Sequence, residues 1–189
     1  MKPHTVRVVT KWFASVVILL GCACFLRAQT SSPRTPVVSA FSELVGGKWV
    51  TDGTWSSGYT FKQEHIYEWG LNGKLIKVRV YDIDAGKNGE VGLRNEGIRA
   101  WDEQAKQMRF WEFDTFGGIT TGVCGVERGS LFYEYDYQVK GETKKLRNLW
   151  TRLSVDTYTL KVGVWENGGW QKILLETTFR RVPDRVARK

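Results

Sequence analysis

His65 is the single histidine beyond the N-terminal segment of this sequence, and it directly follows Glu64. A histidine next to a carboxylate is a candidate acid–base pair, because imidazole titrates near neutral pH. Neighbouring residues of a strand point to opposite faces, however, so these two residues form no dyad if the segment is a strand. Glu112 and Asp114 would share one strand face about 7 Å apart, a spacing that supports acid–base chemistry only between buried carboxylates.

Cys124 is the one cysteine outside residues 1–28, so we expect neither an internal disulfide nor a CxxC metal site. It lies between Val123 and Gly125 and is interpreted as a small buried hydrophobe rather than a nucleophile. The sequence has no serine elbow, phosphate-binding loop or metal-ligand spacing. We therefore predict no catalytic residue, metal or cofactor and favour a binding protein over an enzyme. A barrel isomerase or cyclase is the catalytic alternative.

Apolar and polar residues alternate through most of the chain, which predicts strands joined by tight turns. Asn72-Gly73, between two alternating segments, is a strong hairpin signal. One short helix is predicted over 40–45, ended by Gly46-Gly47. About ten strands follow, predicted at 48–50, 59–69, 74–81, 95–101, 106–114, 119–126, 130–139, 145–153, 157–165 and 170–182.

The short connections between these strands determine the predicted architecture. No helix separates them, which excludes parallel crossovers, and ten antiparallel strands in a flat sheet would leave exposed edges. Closure removes the edges. The predicted fold is all-β: an up-and-down antiparallel meander of about ten strands, closed into a barrel over 40–182, with one short N-terminal helix. Such a barrel has room for one small ligand.

The N-terminal 28 residues have the pattern of a targeting segment. Lys2, Arg7 and Lys11 precede an apolar run from Trp12 to Leu26, which predicts a Sec-type signal peptide and export to the periplasm or beyond. Leu19-Leu20-Gly21-Cys22 also fits a lipobox, so a lipid anchor at Cys22 is the alternative. No transmembrane span is expected after signal removal.

Composition and charge exclude several classes of protein. The 9 Trp, 7 Tyr and 9 Phe among 189 residues exclude a disordered chain, and the length fits one domain. Residues 29–39 are predicted to be a flexible leader, and residues 183–189 a basic tail. Residues 1–28 contain four Lys or Arg and no acid, so removing them lowers the net charge from +8 to +4. We expect no nucleic-acid partner for so nearly neutral a domain.

Three segments carry a family resemblance. Phe41–Trp49, FSELVGGKW, resembles the entry of lipocalin-like and other calycin barrels. Ala100–Trp111 resembles the central hairpin of a bacterial lipocalin-like domain of unknown function, and Glu166–Arg181 resembles its closing hairpin. The resemblance covers residues 41–182 and implies a β-barrel, but it implies no activity and no catalytic residue.

The resemblance also carries two expectations about single residues. It implies that Trp49 is covered by an arginine of the last strand, either Arg180 or Arg181, at the closed end of the barrel. Haem-binding ten-stranded relatives use a histidine late in the chain. This sequence has none after His65, so haem is not expected.

We predict that the barrel interior holds a small, partly apolar molecule with a polar or anionic end. Arg109 or Arg152 would bind a carboxylate. The alternation in 106–114 does not determine whether Arg109 and Trp111 or the alternate residues face inward. The predicted ligand-binding residues are His65, Tyr67, Arg109, Trp111, Tyr133, Tyr135, Asn148, Trp150 and Arg152.

The alternative is an interior filled by packing. Tyrosine, tryptophan and asparagine also fill barrel interiors, with their polar atoms bonded to backbone or water. The domain would then be a protein-interaction or structural module of the cell envelope. A homodimer is compatible with either interpretation.

Overall fold

The computed structural model describes residues 36–84, 91–139 and 141–183. The predicted signal peptide and lipobox, and most of the predicted leader and basic tail, lie outside these residues. The segments in which apolar and polar residues alternate form ten strands. The strands are β1 Lys48–Thr54, β2 Thr60–Gly70, β3 Leu75–Asp82, β4 Gly92–Asp102, β5 Gln107–Asp114, β6 Ile119–Glu127, β7 Ser130–Val139, β8 Glu142–Ser154, β9 Thr157–Glu166 and β10 Gly169–Val182.

One short helix precedes the strands. Helix α1, Pro36–Ala40, continues as a 3-10 helix over Phe41–Leu44. The helix therefore begins four residues before the predicted start at residue 40, inside the segment predicted as leader. Proline is well suited to the first turn of a helix, because it lacks an N–H that would be unpaired there. Phe41 and Leu44 are fully buried and fix the helix to the barrel.

The ten strands form one closed antiparallel barrel. Each strand pairs with its neighbours in sequence, and β1 pairs with β10 as well as β2. Trp49 lies opposite Arg181 on one side and His65 on the other. The predicted fold class is confirmed. Among the described residues, no helix is long and apolar enough to cross a membrane.

Two-residue turns determine the register of two hairpins. Arg128 and Gly129 both have positive φ, 50° and 81°, as do Asn167 and Gly168, 53° and 73°. Type I′ hairpin turns require positive φ at both central residues, and glycine adopts it without steric cost. These turns connect β6 to β7 and β9 to β10 directly.

The two ends of the barrel differ. The helix leads into the start of β1, so it lies at the end that also carries turns 71–74, 103–106 and 128–129; we call this the closed end. The opposite end carries turns 55–59 and 115–118; we call this the open end. The most deeply buried side chains include Trp49, Phe41, Phe110, Phe179, Leu44, Ile76, Met108 and Val78.

Candidate functional site

The barrel interior contains a cavity of about 750 Å³. This volume lies within the range of typical ligand pockets. Tyr67 and Trp150, both buried, lie in its wall on the helix side, and Tyr137 is half-exposed near the open end. Its aromatic wall consists of Trp55, Tyr59, Tyr67, Phe110, Tyr133, Tyr135, Tyr137 and Trp150. The interior is therefore hollow rather than fully packed.

Six of the nine predicted ligand-binding residues line this cavity. They lie on the inward faces of β2, β7 and β8, and in β2 and β7 the sequence alternates clearly between aromatic and charged residues. Consecutive strand residues point to opposite faces, so an aromatic face that is buried brings its polar members inward as well. The six residues are His65, Tyr67, Tyr133, Tyr135, Asn148 and Trp150.

Arg109 and Trp111 face outward, which corrects their assignment to the cavity. Met108 and Phe110, the alternate residues of β5, are almost completely buried and occupy the inward face. Arg109 pairs with Asp102 at 3.7 Å and lies over the Trp111 ring at 5.5 Å. The inward face is fixed by packing, because the Phe110 ring contacts aromatic rings of β7 edge to face.

Arg152 is also absent from the cavity lining. It lies at the closed end, where its guanidinium donates to the Glu43 carboxylate at 2.8 Å. The hydroxyl of Tyr158 donates to the other oxygen of the same carboxylate, also at 2.8 Å. Arg152 therefore helps to bind the helical segment to the barrel, and no carboxylate anchor for a ligand is formed by it or by Arg109.

Arg181, not Arg180, covers Trp49 at the closed end. The guanidinium of Arg181 lies 4.5 Å from the Trp49 ring and donates to the carbonyl of Gly46 at 3.0 Å, whereas Arg180 is exposed. The indole N–H of Trp49 donates to the Leu44 carbonyl at 2.8 Å. These contacts have a structural role, because they close the barrel beneath the cavity.

A buried ion pair that was not predicted from the sequence lies in the cavity wall. Arg99 is only 3% exposed, and its guanidinium pairs with the carboxylate of Glu112. Asn95 donates to the same carboxylate at 3.3 Å. Asn95, Gly97 and Arg99 share the inward face of β4 with Trp101, which lies opposite Met108 near the closed end. The polar side chains at positions 95 and 99 are not typical of an interior face, so the sequence did not mark them as buried.

Glu112 and Asp114 do not act as a carboxylate pair. Both line the cavity, but Glu112 is bound to Arg99, and Asp114 accepts the backbone N–H groups of Phe116 and Gly118 at 2.8 and 2.9 Å. Asp114 thus stabilises the turn between β5 and β6. Each carboxylate has a structural partner, so neither is free for acid–base chemistry with the other.

A chain of polar contacts orients His65. The Gln63 amide nitrogen donates to Asp82 at 2.9 Å, so the Gln63 amide oxygen faces His65 Nε2, 3.4 Å away. Because that oxygen can only accept, Nε2 carries the histidine hydrogen. Nδ1 is buried and has no hydrogen-bond partner among the described residues. Burial, and to a lesser extent the charge of Arg99, lowers the pKa of His65 to about 3.

The remaining reactive groups are unsuited to nucleophilic chemistry. Burial raises the pKa of the Cys124 thiol to about 12, and burial likewise raises the pKa of Tyr133 to about 12. Both groups are therefore neutral at physiological pH. Among the described residues, no group of three or more His, Cys, Asp or Glu side chains is placed to hold a metal ion.

Comparison with known proteins leaves the family of this chain unassigned. No protein-family model and no curated protein matches the sequence. A de novo designed fluorescence-activating β-barrel aligns with 76% of this chain and 98% of its own, at 13% identity and a TM-score of 0.39. At these values the similarity supports no conclusion about function. The lipocalin-like resemblance therefore stays a prediction.

Proposed function

We propose that the domain is a non-catalytic binding protein that encloses one small, partly apolar molecule. The observation that carries this proposal is the aromatic-lined cavity of about 750 Å³, which is closed at one end by the helical segment. An apolar cavity with a few oriented polar groups is the common form of a small-molecule site. His65, Gln63, Asn148 and Glu112 supply those polar groups.

The cavity supports a polar end on the ligand, but neither arginine that the sequence suggested as a carboxylate anchor lies in it. Arg109 and Arg152 lie outside the cavity. Of the arginines in the lining, Arg99 is neutralised by Glu112, and Arg94 is paired with Asp82 at 3.9 Å. A catalytic role has less support, since the buried titratable groups of the cavity are held neutral or paired.

The proposal also includes export through the predicted signal peptide at residues 1–28, either to the periplasm or to the medium. Anchoring at Cys22 is its alternative.

Native mass spectrometry of the protein purified from its own host tests this function. We expect a 1:1 complex with a molecule of a few hundred daltons, which denaturation releases. If the protein is purified without a ligand, added N-phenyl-1-naphthylamine should form a 1:1 complex. An apo mass in the first experiment together with no complex in the second would overturn the proposal.

A second function, contact with another protein, is favoured by an apolar surface at the open end. Phe113 and Ile119 are opposite one another on the outer faces of β5 and β6, and Leu93 and Phe116 lie nearby. These four side chains are 42–68% exposed. Exposed apolar groups that lie together commonly mark interaction sites. Light scattering of the wild type and of Phe113→Ser/Ile119→Ser tests this function, with self-association expected only in the wild type.

A further inference from the structure

Two matched ion pairs lie on opposite sides of the barrel wall. Arg99 pairs with Glu112 on the cavity side. On the outer side, Arg147 pairs with Glu134 at 3.1 Å and also with Glu127. In both pairs the arginine side chain is almost fully buried, at 4% and 6% exposed, and the glutamate is a quarter exposed, at 26% and 24%. The exposed part of Glu112 faces the cavity.

The guanidinium of Arg99, whose side chain is 4% exposed, is engaged mostly by groups of the protein itself. Its Nε donates to the Tyr133 hydroxyl at 3.4 Å, Nη1 to the Ile98 carbonyl at 3.5 Å, and Nη2 to Glu112. It also lies 5.0 Å from the Tyr133 ring centroid and 5.5 Å from that of Phe110. Aromatic rings and protein acceptors thus surround the positive charge.

Glu112, in contrast, has unused capacity to accept hydrogen bonds. A carboxylate offers about four lone-pair sites, and the structure shows two donors, Arg99 and Asn95. The neighbouring Tyr135 hydroxyl donates to Asn148 at 3.3 Å and therefore not to Glu112. The remaining acceptor sites of Glu112 are thus open to a ligand.

The backbone opposite Glu112 is shaped to hold this ion pair. Gly97 lies directly across from Glu112 in the β4–β5 ladder. A Cβ atom at Gly97 would lie 2.7 Å from Cγ of Glu112 and 2.9 Å from Nη1 of Arg99, closer than van der Waals contact allows. Glycine at this position therefore makes room for the pair inside the cavity wall.

We propose that Glu112 binds the polar end of the ligand and that this end is a hydrogen-bond donor: an alcohol, an amide N–H or an amine. A ligand carboxylate would instead approach a carboxylate whose own arginine is shielded, so like charges would repel. Arg99 and Asn95 are positioning residues that orient the carboxylate. This inference rests on the proposed function of the cavity and specifies the ligand class.

Four pyrene compounds that differ only at the polar end test the inference by fluorescence titration: 1-pyrenemethanol, its methyl ether, 1-pyrenemethylamine and 1-pyrenecarboxylate. We expect the alcohol to bind the wild type at least about tenfold more tightly than the ether or the carboxylate, because a charge-assisted hydrogen bond is lost in these two. Comparing the affinity of the amine with that of the alcohol shows whether the site binds a positively charged donor or a neutral donor more tightly.

Glu112→Gln should reduce binding of the alcohol about tenfold and leave binding of the ether unchanged. Glu134→Gln removes the matched carboxylate on the outer face and should change neither. If Glu112→Gln does not fold, Arg99→Met/Glu112→Gln removes both charges together and should show the same loss of alcohol preference.

The outcomes separate this inference from the function on which it rests. Tighter binding of the carboxylate than of the alcohol, or equal binding of alcohol and ether by the wild type, would overturn the role of Glu112 and leave the cavity as a ligand site. Failure of all four compounds to bind would overturn the proposed function itself.

Discussion

His65 is a neutral imidazole in the wall of the cavity. Its Nε2 hydrogen faces Gln63, and its ring packs edge to face on Phe179 with 4.7 Å between centroids. Burial disfavours the charged form of the imidazole, and the positive charge of Arg99 adds to this effect, which explains the lowered pKa of His65. Sequence alternation predicted that His65 faces inward, but the contact with Gln63 depends on Asp82 of the next strand and could not be predicted.

The lowered pKa of His65 predicts a specific pH dependence of stability. Between pH 6.5 and about 3, the unfolded chain binds a proton at His65 that the folded barrel does not bind. The free energy of unfolding therefore falls as the pH drops through this window, by up to about 1.4 kcal/mol per pH unit, and is independent of His65 above it. His65→Phe should lose this slope. Urea denaturation at pH 7, 6 and 5 measures it, and equal slopes in the two proteins would contradict the assignment.

Trp49 is the residue whose loss should cost the most stability at the closed end. It is fully buried, packs edge to face on Tyr158 at 5.3 Å and lies beneath Arg181. We expect Trp49→Ala to lower the free energy of unfolding by about 3 kcal/mol or more, because a large cavity forms. Trp170→Ala, on the outer face of β10, is the control and should cost less. Urea denaturation compares them, and similar losses would show that Trp49 is not a core residue.

Individual strands differ in how well their faces can be predicted. In β2 and β7, aromatic residues alternate with charged ones, so the inward face follows directly from the sequence. In β5 both faces carry apolar and charged residues, and only contacts between Phe110 and the rings of β7 determine the direction. In β4 the inward face holds Asn95 and Arg99, which sequence reasoning normally places outside.

Gly97, on the inward face of β4, has no room for a side chain, so we expect its replacement to destabilise the barrel. Gly97→Ala should lower the free energy of unfolding by about 1–3 kcal/mol, because the new methyl group would meet Glu112 and the backbone of β5. Gly169→Ala is the control, since a Cβ at that position meets no atom within 4 Å. Thermal unfolding of the two variants compares the costs. An unchanged midpoint for Gly97→Ala would contradict the close approach of β4 and β5.

At the scale of the whole molecule, the barrel has one sealed end and one accessible end. Trp49 and Arg181 join the helical segment to the first and last strands, and Glu43 joins it to β8 and β9. Ten strands with short connections were enough to predict closure, because closure is the simplest way to remove two sheet edges. Whether the interior is hollow or filled by packing stayed open in the sequence, since it depends on how side chains from ten strands share one volume.

The central claim is that a small molecule binds inside the barrel, and a matched pair of substitutions on β8 tests it most directly. Leu146 faces the cavity, and Leu149, three residues later, faces outward opposite Phe132 and Lys161. Leu146→Trp places a large ring in the cavity, whereas Leu149→Trp makes the same change on the outer surface.

Fluorescence titration with N-phenyl-1-naphthylamine measures binding by the wild type and both variants. We predict saturable 1:1 binding to the wild type and to Leu149→Trp, and at least about tenfold weaker binding to Leu146→Trp, because the new ring occupies ligand volume. Equal binding by Leu146→Trp and the wild type, with both proteins folded, would contradict ligand binding inside the barrel.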